Sequence, residues 1–240
     1  MTPRRGSVAM AIVAAALLAA ACAPLAPRMP TRPAVSPETV RANIVALANR
    51  EWQAFGGQTI HYAADGHEII DPVASWEDER KGSPLVAKYW RAVGADWSGS
   101  DCDKPWSAAF VSWVMAEAGV PASEMPASAA HAGYLRAAIA AASAPGAHWR
   151  ARQPVDYAPH PGDLICAPRA GQKIAAFDDI PADAKLHCDI VVEAGAGCLA
   201  SIGGNVRNSV SLTERDVDID GHLPAGAGRH WFLVLENLYP

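Results

Sequence analysis

Pro105-Trp106-Ser107-Ala108-Ala109-Phe110-Val111-Ser112-Trp113 is the stretch on which the reading of the fold turns. Proline has no N–H to lose at a helix start, and its φ is already near the helical value, so Pro105 reads as a first helical residue. The helix then runs through Ala118, with Gly119 as its stop and Pro121 beyond. Phe110, Val111 and Val114 give it a side to bury on a sheet. Ser107 falls in the first turn, where unpaired amides and the helix dipole favour negative charge. A nucleophile there becomes more acidic, and an oxyanion forming beside it is stabilised.

Three further helices are expected around this one. Ser36-Pro37-Glu38 opens the first, with Val40, Ile44, Leu47, Trp52 and Phe55 on its apolar side and Gly56-Gly57 at its end. Ser83-Pro84 opens another that stops at Gly94, and Ser128 caps an alanine-rich one reaching Ala142. The stretch between the first two helices reads as irregular. From Pro161 the pattern changes to short apolar runs at 163–166, 187–192, 199–202 and 231–235, read as strands of one antiparallel sheet. Residues 168–186 read as a loop inserted between two of them. Helices followed by strands predict an α+β domain.

The N-terminus has a different composition. Arg4 and Arg5 precede an apolar stretch, Val8 to Ala21, too short for an ordinary span and suited to a signal segment over residues 1–21. Leu18-Ala19-Ala20-Ala21-Cys22 resembles a lipoprotein signal, with Cys22 as the lipidation site. Pro24, Pro27, Pro30 and Pro33 make residues 22–35 a tether. Residues 36–82 are expected to hold the first helix and irregular chain, and residues 83–240 the domain proper. The expected location is the cell envelope, lipid-anchored and facing the periplasm from the outer membrane. That membrane is suggested only by analogy with lipoprotein sorting, from the absence of an aspartate after Cys22.

The chain of 240 residues carries a formal charge of −5, which losing Arg4 and Arg5 takes to −7 (−5 − 2). No basic run supports nucleic-acid binding. Beyond Cys22, Cys102, Cys166, Cys188 and Cys198 permit two disulfides in three connectivities, or buried free thiols. There is no HExxH and no paired Cys-x-x-Cys, so neither a metal nor a cofactor is expected.

Two more segments hold groups that could act on a substrate. In Leu186-His187-Cys188-Asp189-Ile190, His187 at a strand start is a candidate general base. In Ile202-Gly203-Gly204-Asn205, the Asn205 carbonyl is a candidate to hold the histidine in one tautomer. A three-residue turn at Gly195-Ala196-Gly197 would pair Ala194 with Cys198, Ile190 with Ile202 and His187 with Asn205. Asp189 shares a face with His187 and rivals Asn205 for the orienting role. Each has a plainer reading: a first-turn serine satisfying backbone, a hydrogen-bonded strand histidine, a turn asparagine. Trp106, His131 and Asp189 are carried as candidate substrate contacts, although Trp106 also reads as core, His131 as an exposed helix residue and Asp189 as a surface acid.

Trp-Ser-Ala-Ala-Phe-Val on a helix, Pro161-Gly162-Asp163-Leu164 opening a strand, His187 on the next, and Gly203-Gly204-Asn205 after it resemble the NlpC/CHAP pattern in order and spacing. The helix motif is similar to that of the domain of unknown function 2272. The resemblance covers roughly residues 85–238. It implies a papain-like fold with the nucleophile helix packed on an antiparallel sheet, and cleavage of peptide or amide bonds in peptidoglycan. The chain departs from the pattern at one position: active members carry cysteine where it has Ser107. A serine must lose its proton to a base during attack. Three alternatives stay open: a Ser107–His187–Asn205 nucleophilic site, an inactive domain binding wall peptides, or a thiol supplied by Cys102. A structural envelope protein whose first helix docks a partner is the remaining class.

Overall fold

The computed structural model of the protein describes residues 36–62, 68–72, 74–169, 171–174, 176–195, 197–224 and 230–240. The expected signal segment and tether, with Cys22, lie outside the described residues.

Four helices and an eight-stranded sheet make an α+β fold. The helices are α1 (Pro37–Phe55), α2 (Gly82–Ala92), α3 (Ser107–Ala118) and α4 (His131–Ala141). The strands are β1 (Thr59–Tyr62), β2 (Glu68–Asp71), β3 (Trp149–Arg152), β4 (Leu164–Pro168), β5 (Leu186–Gly195), β6 (Cys198–Val206), β7 (Ser209–Asp216) and β8 (Leu233–Asn237). Their order across the sheet is β2-β1-β7-β6-β5-β4-β8-β3. The β1–β7 pair is parallel, so the sheet is mixed rather than wholly antiparallel.

The stretch after α1 is not irregular. β1 and β2 form an antiparallel pair, and β1 joins the central sheet at β7, where Gln58 Nε2 donates to Ser211 Oγ at 2.8 Å. α1 is equally integral to the body. Val40, Ile44, Ala48 and Phe55 recur at helical spacing and are all buried. Glu51 lies on the same buried stripe, held by Tyr89 Oη at 2.6 Å and Lys88 Nζ at 2.5 Å. With its apolar side covered, α1 gives no ground for a docking partner.

α3 belongs to the main core, with Phe110, Val111 and Val114 buried among residues of α1, α2, β5 and β6. Strand alternation divides the sheet residues. Cys166, Cys188, Ile190 and Ile202 belong to the main core, while Ile165, Val191, Leu199 and Val234 form a smaller cluster with Leu223. β5 lies inside the sheet between β4 and β6, which explains why Leu186 to Val191 are all buried.

Directly paired positions on β4 and β5 carry Cys166 and Cys188, which form a disulfide. The sequence permits two disulfides; Cys102 and Cys198 are instead free and exposed. The sequence separation of 22 residues sets the entropy that the crosslink removes from the unfolded chain. By the chain-entropy relation this is about 3 kcal/mol. Replacing both cysteines by alanine is therefore expected to lower unfolding free energy by about that amount. Urea titration of the variant beside the oxidised and reduced parent would show it. Equal midpoints for all three would refute the crosslink.

Candidate active site

Ser107 is the first residue of α3. Trp106 is its N-cap, so Pro105 precedes the helix instead of opening it. Trp106 is 1 % exposed, stacked between Phe55 and Tyr89, and its indole N–H donates to Glu77 Oε2. It is core and not a substrate contact, because almost none of its surface is left exposed. It fixes where α3 starts. The Glu77 amide in turn donates to the Asn208 carbonyl at 2.7 Å, tying this corner to the β6–β7 turn.

Ser107 Oγ lies 3.0 Å from His187 Nδ1 and 3.0 Å from His131 Nε2. His187 Nε2 lies 2.7 Å from Asp189 Oδ1. Asp189 Oδ2 takes the Ser201 hydroxyl at 3.3 Å and has Arg215 Nη2 at 3.4 Å. Arg215 Nη1 also donates to Ser201 Oγ. The orienting place at His187 thus belongs to Asp189, not Asn205. The two residues sit two apart on one strand face, and both ring nitrogens are engaged, by Ser107 and by Asp189.

Asn205 lines the cleft, but its φ of 55° takes it out of regular strand geometry. The register shows why the expected pairing fails. Gly195 pairs with Cys198, one residue away from the expected turn, and an irregularity between Val191 and Glu193 restores Ile190 opposite Ile202. A second one, between Gly203 and Val206 against β7, lies at Asn205. Arg207 and Asn208 then turn the chain with φ of 54° and 58°. The two glycines before Asn205 allow close approach. A Cβ on Gly203 would sit 2.1 Å from Asp189 Oδ1, and one on Gly204 2.6 Å from Phe110 Cβ.

His131 is the first residue of α4, buried against the same serine. Ser128 does not cap α4 directly; Ser112 of α3 holds it by two 3.0 Å bonds, to its carbonyl and from its amide. That clamp sets the start of α4 beside the start of α3. Tyr134 Oη lies 2.5 Å from His131 Nδ1. Tyr134 was absent from the sequence candidates, and its i, i+3 spacing from His131 was the available signal.

Ser107 and His131 line a cleft of about 700 Å³, together with Cys102, Asp103, Asn205, Asn208 and residues of the β4–β5 connection such as Lys185. Ser107 itself is only 1 % exposed, at the cleft floor. Cys102 donates to the Gly99 carbonyl at 3.4 Å. Desolvation, with the Glu77 and Asp78 carboxylates, pushes its thiol up, which opposes a nucleophilic role. Away from the cleft, Asp218, Asp220 and His222 bring ligand atoms within 4.8 Å of one another on an exposed turn. There Asp218 Oδ1 already accepts the amides of Asp220 and His222.

Residues 75–236, more than half of the chain, match the family model described as "Uncharacterized protein conserved in bacteria (DUF2272)". The chain belongs to this family. The DUF2272 match takes in Glu77, α3, α4 and every residue of the hydrogen-bonded cluster, and leaves α1, β1 and β2 outside it. No curated protein and no solved structure matches the chain.

Glu77 connects the cleft to stability. Burial pushes its carboxyl above the ordinary 4.5, against the lowering effect of the Trp106 donor and with a further rise from Asp78. Between 4.5 and that raised value the folded protein holds a proton which the unfolded chain has released, so this group's stabilisation is lost as pH rises across the window. Glu77→Gln is expected to flatten that slope in urea unfolding measured from acid to neutral pH. Glu77→Ala should cost about 1–3 kcal/mol by leaving a buried indole N–H without its acceptor. An unchanged slope in Glu77→Gln would count against the assignment.

Proposed function

We propose that the protein is a lipid-anchored hydrolase of the cell envelope that cleaves peptide or amide bonds of peptidoglycan by a serine nucleophile. The observation that carries this reading is the contiguous Ser107–His187–Asp189 line, which meets a cleft at Ser107. In an ionised Asp189 both oxygens accept, so His187 Nε2 carries the proton and Nδ1 presents its lone pair to the Ser107 hydroxyl. As Oγ bonds to the carbonyl carbon, its proton passes to Nδ1, then to the leaving amine as the C–N bond breaks. Water then attacks the acyl-enzyme by the same route, which releases the acid and restores Ser107. The open amides at the start of α3 favour the developing oxyanion.

The choice of peptidoglycan rests on the NlpC/CHAP-like order of the motifs and on the signal-like N-terminus ending at Cys22. Membrane attachment follows from lipidation there. Among the described residues no helix is long and apolar enough to cross a membrane. The burial of Ser107 favours a second reading, a wall-peptide binder that no longer cleaves.

Digestion of peptidoglycan by the full chain, with fragments read by mass spectrometry, separates the two. Products are expected from the parent and none from Ser107→Ala. Asp189→Asn should lose about 10⁴-fold in kcat by allowing the wrong tautomer. Asn205→Ala should stay within about tenfold, as expected of a cleft-wall contact. Products from Ser107→Cys alone would establish the binder.

A further inference from the structure

The directions of the hydrogen bonds fix a role for the second imidazole. Asp189 accepts from Ser201 and faces Arg215, so it is a carboxylate, and His187 Nε2 donates to it. With the ring neutral, His187 Nδ1 is then an acceptor, and the single proton of the Ser107 hydroxyl points at it. Ser107 Oγ can then only accept from His131, whose Nε2 lies 3.0 Å away. His131 Nε2 carries a proton, and its Nδ1 accepts from Tyr134. Burial raises the Tyr134 phenol well above its ordinary range, with the Asp189 charge adding to it, so this hydroxyl remains a donor. All members thus point one way, from Tyr134 to Asp189.

We propose that His131 is a catalytic residue, a neutral imidazole whose Nε2–H is a side-chain donor to the oxyanion formed when Ser107 attacks an acyl group. This rests on the reading of Ser107 as nucleophile and deepens it, since the donor commits the site to acyl transfer through a tetrahedral oxyanion. His131 cannot be the base, because its Nε2 already holds a proton and its Nδ1 lone pair is taken by Tyr134. When Oγ bonds to carbon, the carbonyl π pair moves to oxygen, two bonds beyond the atom that Nε2–H now addresses. The donor needs only a small turn to follow it. His131 keeps its own proton throughout, while the Ser107 proton travels through His187. Placement at the start of α4 suits this role, since the positive end of the helix dipole and burial both oppose a charge on the ring. Tyr134 is a positioning residue that sets the tautomer.

A phosphonofluoridate ester tests this without knowledge of the substrate. Ser107 Oγ would bond to phosphorus, fluoride would leave, and the phosphoryl oxygen would need the same donors. Labelling rates of the full chain are followed by intact mass, and the site by peptide mapping. His131→Ala should label about 10²–10³-fold more slowly. His131→Gln, whose amide N–H can still donate, should recover to within about tenfold of the parent. Tyr134→Phe, which keeps the ring and frees the tautomer, should slow labelling several-fold. Labelling of His131→Ala at the parent rate, with His187→Ala inert, would overturn the role of His131 and leave the nucleophile standing. His131→Gln as slow as His131→Ala would also overturn it, since the N–H would not be what matters. A parent that is never labelled at Ser107 would remove the hydrolase reading itself, and this inference with it.

Discussion

Asp189 is buried with an imidazole at one oxygen and a hydroxyl and a guanidinium at the other. An anion in that position is costly unless it is paired and hydrogen-bonded, and each of these groups lowers the cost. Its ionisation then dictates the proton on His187 Nε2, and from there the direction of every bond back to Tyr134. The sheet is built to permit this. Asp189 lies on the face of β5 shared with His187, Ser201 comes from the neighbouring β6, and Gly203 lacks the Cβ that would strike the carboxylate. The hydrogen-bond order of the cleft is thus a property of strand register before it is a property of side chains.

The two helix starts meet this line from the other side. α3 places Ser107 because Trp106 is locked by Glu77 and by two stacked rings. α4 places His131 because Ser112 grips Ser128 through both its backbone polar groups. Neither helix has a side-chain cap at its own first turn, which leaves those amides beside the nucleophile.

The sequence was most legible where local rules dominate. Proline and glycine marked the ends of α1, and the apolar runs marked the inner strands β4, β5 and β6. Ser107 and His187 stood out by motif order. β1 and β2 were missed because they are short and mostly exposed, so little apolar alternation marks them. β7 was missed although Val210 and Leu212 alternate within it. The β5–β6 register came out right at Ile190 and Ile202 through two compensating differences, a shorter hairpin end and a bulge. Neither has a sequence signal strong enough to be read. Asn205 was favoured over Asp189 because the pairing was extended past the bulges. The simpler fact, that residues i and i+2 share a strand face, carried the answer.

The one-way hydrogen-bond line also has a meaning as a distribution of charge. At rest Asp189 is an anion paired with the Arg215 cation, and the groups from His187 back to Tyr134 are neutral. Attack by Ser107 would create a second pair, an imidazolium at His187 and an oxyanion beside His131, with Ser107 between them. The net charge of the line would be the same from start to finish, and only its dipole would change. Each new charge would appear next to a group already oriented for it, the imidazolium next to Asp189 and the oxyanion next to an N–H. A cleft floor nearly closed to solvent can hold such a change because no ion has to enter or leave it.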